Sequence, residues 1–183
     1  MRAKRAGQSP LLLLDVIDVL NREGIDYAVI GALAAAVYGA IRASADADAL
    51  VSLTAPKLSS LAQNFKKKGF SVELRQGDVE DPIPAMLVVS DKHQNRVDLL
   101  GELRGLDPQA LTRTVEIPFS GTTMRVVSCE DFIAMKCFAS GPQHLEDARV
   151  ALRTADNLDL DLLRKVTRRF GRHAADAFEM LLS

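Results

Sequence analysis

The sequence is poor in cysteine. Only two of its 183 residues are cysteines, Cys129 and Cys137. They lie eight positions apart, which is not the close spacing of zinc ligands, so the sequence argues against a zinc site. We interpret both as reduced core thiols and therefore expect a cytoplasmic protein.

The chain also lacks an excess charge of one sign and a long apolar run. Its 23 basic and 24 acidic residues give a formal charge of −1, which argues against a strongly basic nucleic-acid binder and a highly charged disordered chain.

No apolar run approaches the roughly 20 residues of a membrane span. The run from Leu11 to Leu14 is too short for a signal peptide, and no small-residue cleavage site follows it. We therefore expect no association with a membrane.

The length corresponds to about one domain. Pro10 predicts the start of a first helix, with Ser9 as its cap, and Gly24 predicts its end. The apolar run Tyr27–Ile30 predicts a buried strand that ends at Gly31, and a second, alanine-rich helix follows.

Strands and helices then alternate along the chain. The predicted elements are a strand over 46–53, a helix from 56 to about 65, a strand over 72–75, an acidic loop over 77–84, and two hairpins, 85–89 with 96–100 and 115–119 with 124–127. After Ser128 the pattern is helical to the end. This order predicts an α+β (α/β layered) fold: a small mixed sheet flanked by helices, with residues 1–128 as the core and residues 129–183 as a helical region packed on it.

Three aspartates carry the clearest chemical signal. Asp46 and Asp48 are two positions apart in a predicted strand, so both side chains face the same side. Two carboxylates this close repel each other unless one is protonated or a cation lies between them. Mg²⁺ is the natural choice, since it prefers oxygen ligands and substrate phosphates. If the strand at 96–100 lies beside the first, Asp98 completes a triad that could hold two ions for an in-line displacement.

The junction between the first strand and the second helix offers a place for phosphates. Gly31 allows the backbone to approach a ligand closely, and the unpaired N–H groups of a helix that starts at Ala32 favour anions. A glycine turn and paired aspartates on the next strand together indicate metal-assisted nucleotidyl transfer.

These residues resemble the signature of the nucleotidyltransferase superfamily, the DNA polymerase beta-like group. Its pattern of an apolar residue, Gly, and Gly or Ser, followed by Asp-x-Asp, is matched by Ile30-Gly31-Ala32 and Asp46-Ala-Asp48. Arg42 and Ser44 resemble the Arg-x-Thr/Ser of one branch, which includes predicted nucleotidyltransferases and the toxins of abortive-infection systems.

A second stretch is similar to the same branch. It runs from Asp131 to Ala139 and continues through Pro142 to Asp147. The resemblance implies that Lys136 meets nucleotide phosphate and that Asp147 supports the site. The residue pattern and the resemblance together predict the site residues. The catalytic and metal-binding residues are Asp46, Asp48 and Asp98, and the nucleotide-binding residues are Gly31, Ala32, Arg42, Ser44, Lys136 and Asp147.

The resemblance implies an enzyme that uses Mg²⁺ (or Mn²⁺) to move a nucleoside monophosphate from an NTP such as ATP to an acceptor. The acceptor is RNA, a protein or a small molecule, and a toxin of this branch would have an antitoxin as its partner. The branch often has Gly or Ser at the position of Ala32. It also often has basic or acidic residues at the positions of Gly141, Gln143 and His144. These differences motivate the alternative of a catalytically weak or inactive binding module.

Two further interpretations follow from the residues alone. A phosphatase or glycosyltransferase with its own Asp-x-Asp ranks last among the candidate functions. Those enzymes usually have the aspartate pair after an apolar strand, whereas here the apolar residues follow the pair. We interpret His144 as structural, and five basic residues near the C-terminus as the solvated face of a helix rather than an RNA-binding surface: Arg164, Lys165, Arg168, Arg169 and Arg172.

Overall fold

The structure, a computed structural model, describes residues 1–78 and 80–183. Within them the helices are α1 (Ser9–Arg22), α2 (Gly31–Val37), α3 (Ala55–Lys67), α4 (Cys129–Ala139), α5 (Pro142–Thr154), α6 (Leu160–Arg169) and α7 (Arg172–Leu182). The strands are β1 (Tyr27–Ile30), β2 (Asp46–Val51), β3 (Ser71–Gln76), β4 (Ala85–Ser90), β5 (Arg96–Leu100), β6 (Val115–Phe119) and β7 (Thr122–Val126).

All seven strands form one mixed sheet, in the order β3-β4-β5-β2-β1-β7-β6. Both predicted hairpins are present: β4 pairs antiparallel with β5, and β6 with β7. The central strand β2 pairs antiparallel with β1 and parallel with β5. The predicted α+β class with a mixed sheet is confirmed, and the strand order places β1, β2 and β5, which carry the predicted site, next to one another.

The start of α1 differs from the prediction. Gln8 is the N-cap residue, and Ser9 lies inside the helix and is 1% exposed. The Ser9 hydroxyl donates to the Ala45 carbonyl at 2.6 Å and accepts from the Arg96 backbone N–H at 3.1 Å. Ser9 therefore joins α1 to β5 and to the segment before β2, because a buried hydroxyl needs partners and these backbone groups are the ones within reach.

The C-terminal helices share the core of the sheet. The Tyr38 ring, just after α2, contacts the ring of Phe132 on α4 with centroids 5.3 Å apart, and the Tyr38 carbonyl accepts from the Thr154 hydroxyl at 2.8 Å. Buried side chains of α4, α5, α6 and α7 belong to the same apolar cluster as those of the strands. The packing of 129–183 on the rest of the chain thus holds α4 and α5 beside α2.

Other predictions concern particular side chains. Cys137 is buried, Cys129 is half-buried, and both are free thiols. The five basic residues near the C-terminus lie on exposed or half-buried positions, whereas α6 buries Leu163, Val166 and Thr167. Val79, within the predicted acidic loop, lies outside the described residues. Across residues 1–78 and 80–183, no helix is both long and apolar enough to cross a membrane.

Candidate active site

The junction of β1 and α2 is built closely against β2. Ile30, the last residue of β1, is the register partner of Asp48. Gly31 follows with φ of +65°, and a Cβ on Gly31 would lie 2.1 Å from Asp48 Oδ2. Such a φ is costly for a residue with a side chain, and the separation is far inside van der Waals contact. Glycine is therefore required here because of the positive φ and because a Cβ would overlap the Asp48 carboxylate.

The predicted aspartates lie on two adjacent parallel strands. Asp46 and Asp48 alternate with the buried Ala47 and Ala49 along β2, so the two carboxylates share one face. The register pairs Asp48 with Asp98 on β5. Burial is the main cause that raises the pKa of Asp48 to about 6, and the negative charges of Asp46 and Asp98 add to it. The positive charges of Lys136 and Arg96 oppose this rise. The site thus carries a carboxylate that a cation would stabilise.

Asp98 already has a cationic partner. Arg96 Nε and Nη2 donate to the two Asp98 carboxylate oxygens, each at 2.6 Å, and Asp98 is only 6% exposed. Among the described residues, no group of three or more His, Cys, Asp and Glu side chains is arranged to hold a metal ion. Because Mg²⁺ usually takes one or two carboxylates together with substrate phosphates, the pair Asp46 and Asp48 fits this ion, whereas Asp98 is held by Arg96.

Lys136 and Arg42 meet at a buried carboxylate. Asp147 Oδ2 accepts from Lys136 Nζ at 2.8 Å and from Arg42 Nε at 3.3 Å, and Gln143 donates to Oδ1 at 3.2 Å. Burial by itself would raise the pKa of Asp147, but the hydrogen bond and charge of Lys136, with Gln143 and Arg42, lower it below its usual value. Asp147 is therefore ionised and orients both cations. Burial and the charge of Lys136 lower the pKa of the neighbouring His144, whose Nδ1 lies 3.5 Å from Lys136 Nζ.

The position of α4, which carries Lys136, depends on its first turn. The Ser128 hydroxyl accepts from the Asp131 N–H at 3.2 Å and caps the helix. Arg113 donates to both Asp131 oxygens, at 2.9 and 2.8 Å, and to Asp107 at 3.1 Å. This charged cluster is buried or half-buried and stabilises the N-terminus of α4 on the chain segment before β6.

These elements enclose one cavity of about 380 Å³. Four of the sequence-predicted residues line it, namely Gly31, Arg42, Asp48 and Lys136, and His144 joins them. The rest of its wall is mainly apolar: Ile30, Pro82, Ile83, Leu100, Leu103, Phe132, Met135, Phe138 and Ala139. The cavity therefore combines a carboxylate and two cations with an apolar wall, a composition suited to a ligand that has a phosphate and an apolar part.

The remaining predicted residues lie around this cavity. Asp46 and Asp98 flank Asp48 on the sheet, the Ser44 hydroxyl donates to Asp46 Oδ1 at 2.9 Å, and Ala32 is buried in the first turn of α2. Sequence reasoning missed Arg96. Its signal was present, since Arg96 and Asp98 are two positions apart on a strand and must share a face.

Comparisons with known proteins identify the family of the chain. The sequence profile of the family described as "Nucleotidyl transferase of unknown function (DUF2204)" matches residues 11–180. A search of curated proteins finds no significant match.

Solved structures share the fold. An antigenic nucleotidyltransferase-like protein from Paracoccidioides brasiliensis is 14% identical, with a TM-score of 0.62 over 98% of this chain and 90% of that one. ANT(2'')-Ia, an antibiotic-resistance factor, is 14% identical with a TM-score of 0.61 in its solution structure, over 94% and 96% of the two chains. Its crystal structure in complex with adenylyl-2''-tobramycin is 14% identical with a TM-score of 0.59, over 87% and 94%.

The profile covers nearly the whole chain, and the fold agrees with that of nucleotidyltransferases. The chain therefore belongs to this family of nucleotidyl transferases.

Proposed function

We propose that this protein transfers a nucleoside monophosphate from an NTP to an acceptor hydroxyl in a metal-dependent reaction. The observation that carries the proposal is that Gly31, Asp48 and Lys136 line the same cavity. These residues come from three separate parts of the chain, and each supplies a different need of nucleotidyl transfer: close backbone approach, a carboxylate and a phosphate-binding cation.

In this proposal Asp46 and Asp48 hold Mg²⁺ (or Mn²⁺) together with the nucleotide phosphates, and Asp98 is the third carboxylate of the set. The ion neutralises charge on the phosphate oxygens when bound. The acceptor oxygen attacks the α-phosphorus, the bond to the bridging oxygen breaks and pyrophosphate leaves. One of the aspartates takes the proton of the acceptor hydroxyl.

The nucleotide-binding residues of the proposal lie on the other side of the cavity. Lys136 donates to phosphate, and Asp147 keeps Lys136 and Arg42 in place. Gly31 and Ala32 allow close approach of the phosphates, and Ser44 orients Asp46. Positioning and charge stabilisation then supply most of the rate acceleration.

For the acceptor we propose RNA, a protein or a small molecule as the classes to test. A complex with adenylyl-2''-tobramycin is known for ANT(2'')-Ia, and this supports including aminoglycosides among the small molecules. Action as a toxin with an antitoxin partner belongs to the same proposal. We propose the cytoplasm as its location, on the basis of two free thiols.

Two observations favour a second candidate, a nucleotide-binding module that turns over slowly or not at all. Arg96 donates to both oxygens of Asp98. In addition, the branch that the chain resembles often has other residues at the positions of Ala32, Gly141, Gln143 and His144. Such a module would bind an NTP without forming product.

The deciding experiment is incubation with each α-labelled NTP and Mg²⁺, together with total cellular RNA, total protein or an aminoglycoside panel. Asp48→Asn is the test variant, because it removes the charge and keeps the shape. Asp26→Asn is the control, because Asp26 is an exposed partner of Arg125 outside the cavity.

We expect labelled product with the wild type and with Asp26→Asn, and none with Asp48→Asn. Calorimetric NTP binding without product in the wild type would support the second candidate. Label that persists in Asp48→Asn, or the absence of both NTP binding and product, would contradict the proposal.

A further inference from the structure

Arg96 lies within the carboxylate group on the sheet. It is the register partner of Asp46, as Asp98 is of Asp48, so four side chains form a two-by-two array on adjacent parallel strands. Three of them are carboxylates and the fourth is a guanidinium. The Arg96 side chain is 35% exposed, whereas that of Asp98 is 8% exposed.

The guanidinium interacts with the whole array. Its hydrogen bonds to Asp98 are the largest effect that raises the pKa of Arg96 above its usual value. Burial opposes this rise, and the negative charges of Asp98, Asp46 and Asp48 add to it. Three carboxylates in a partly buried cleft repel one another, and a cation among them relieves this cost. Arg96 is thus an internal counter-ion of the three carboxylates.

Both Asp98 oxygens are occupied at 2.6 Å, which is the two-pronged geometry that arginine forms with a carboxylate. Each oxygen keeps a second lone pair, but a metal ion bound there would lie close to the positive charge of the guanidinium, which repels it. Arg96 is the more exposed partner, and it is therefore the one that can move into solvent.

We infer that Arg96 competes with the divalent cation for Asp98, so that Asp98 binds the cation more strongly when the guanidinium leaves it. This inference rests on the proposed metal site at Asp46 and Asp48. Arg96 acts here as a regulating residue: it stabilises the metal-free array, and it weakens the affinity for the cation by the strength of its own contact with Asp98.

The competition is measurable as metal affinity, without any enzymatic assay. Mn²⁺ binding is followed by electron paramagnetic resonance in the wild type and in Arg96→Gln. Because charge-assisted hydrogen bonds of this kind correspond to about a tenfold change or more in an equilibrium constant, we expect Arg96→Gln to bind Mn²⁺ at least about tenfold more tightly.

Arg75→Gln is a matched control. Arg75 also donates two hydrogen bonds to a carboxylate two positions away on a strand of this sheet, Glu73, at 2.8 and 3.1 Å. Its replacement removes the same charge without releasing Asp98, and Mn²⁺ affinity should stay within about twofold of the wild type.

A double-mutant cycle separates release of Asp98 from a general change in charge. Asp98→Asn should weaken Mn²⁺ binding more in the Arg96→Gln background than in the wild-type background. If Arg96→Gln does not fold, Arg96→Lys replaces it. Lysine keeps the charge but cannot bind both oxygens in the same way, so a smaller gain in affinity is expected.

Equal Mn²⁺ affinity of the wild type and the Arg96 variant would overturn the inference, and so would a gain that does not depend on Asp98. Asp48→Asn tests the proposed site independently. If Asp48→Asn abolishes Mn²⁺ binding while Arg96→Gln has no effect, only the inference on Arg96 fails. If Mn²⁺ binding survives in Asp48→Asn, the proposed metal site itself is wrong.

Discussion

Replacement of Gly31 by alanine is the most direct test of how the backbone positions Asp48. The new Cβ would lie 2.1 Å from Asp48 Oδ2 and 2.9 Å from Asp48 Cγ. An ordinary contact between carbon atoms is about 3.5 Å, so the carboxylate must move by more than about 1 Å. A shift of that size at a reacting group costs about 100-fold in rate.

The same substitution also affects stability. Alanine at a φ of +65° costs about 1–2 kcal/mol, and the clash with Asp48 adds on the order of 1–3 kcal/mol. The free energy of unfolding is measured by urea denaturation, and transfer activity with labelled NTP.

Gly24→Ala is the matched control. Gly24 has nearly the same φ, +64°, and a Cβ there would meet no atom within 4 Å. It should lose only the backbone cost of about 1–2 kcal/mol and keep its activity. If Gly31→Ala loses no more stability than Gly24→Ala and transfers nucleotide at the wild-type rate, Gly31 does not position Asp48.

Lys136→Ala should weaken NTP binding about tenfold or more by calorimetry, since a charge-assisted contact with phosphate is worth about 1.5–3 kcal/mol. Replacement of the exposed Lys92 by alanine is the control and should leave the NTP affinity unchanged. Equal NTP affinities of Lys136→Ala and the wild type would exclude Lys136 from the phosphate site. A second prediction concerns pH in the presence of a chelator. The folded-state pKa of Asp48, about 6, is above its ordinary value of 3.8, so its contribution favours folding below pH 4 and is lost as the pH rises through 6. Asp48→Asn should therefore equal the wild type in unfolding free energy near about pH 3 and exceed it by up to roughly 3 kcal/mol at pH 7. An identical pH dependence of the two proteins would show that the pKa of Asp48 is not raised in the folded state.

Local patterns predicted most of the secondary structure. The apolar run Tyr27–Ile30 is β1, and both hairpins were predicted from short apolar runs with turn residues between them. Ser9 was wrongly predicted as the cap of α1, because its hydroxyl bonds to Ala45 and to Arg96, which is 87 positions away. A local pattern carries no information on a partner at that separation.

The sequence by itself determined which residues could act together on one element. Since side chains alternate along a strand, Asp46 and Asp48 had to share a face, and the glycine after β1 indicated a close approach of the backbone. These conclusions depend on spacing alone and hold in any arrangement of the strands.

Only the tertiary structure decided which elements meet. The parallel pairing of β2 with β5 places Asp98 beside Asp48, and the packing of α5 brings Asp147 to Arg42, 105 positions earlier in the chain. It also decided that Asp98 is buried, so that Arg96, two positions earlier on β5, neutralises it in place of solvent. The physical reason is burial: a carboxylate removed from water must find a cation. Strand order and helix packing decide which carboxylates are buried and, for Asp147, which cation is near, and no local spacing encodes them.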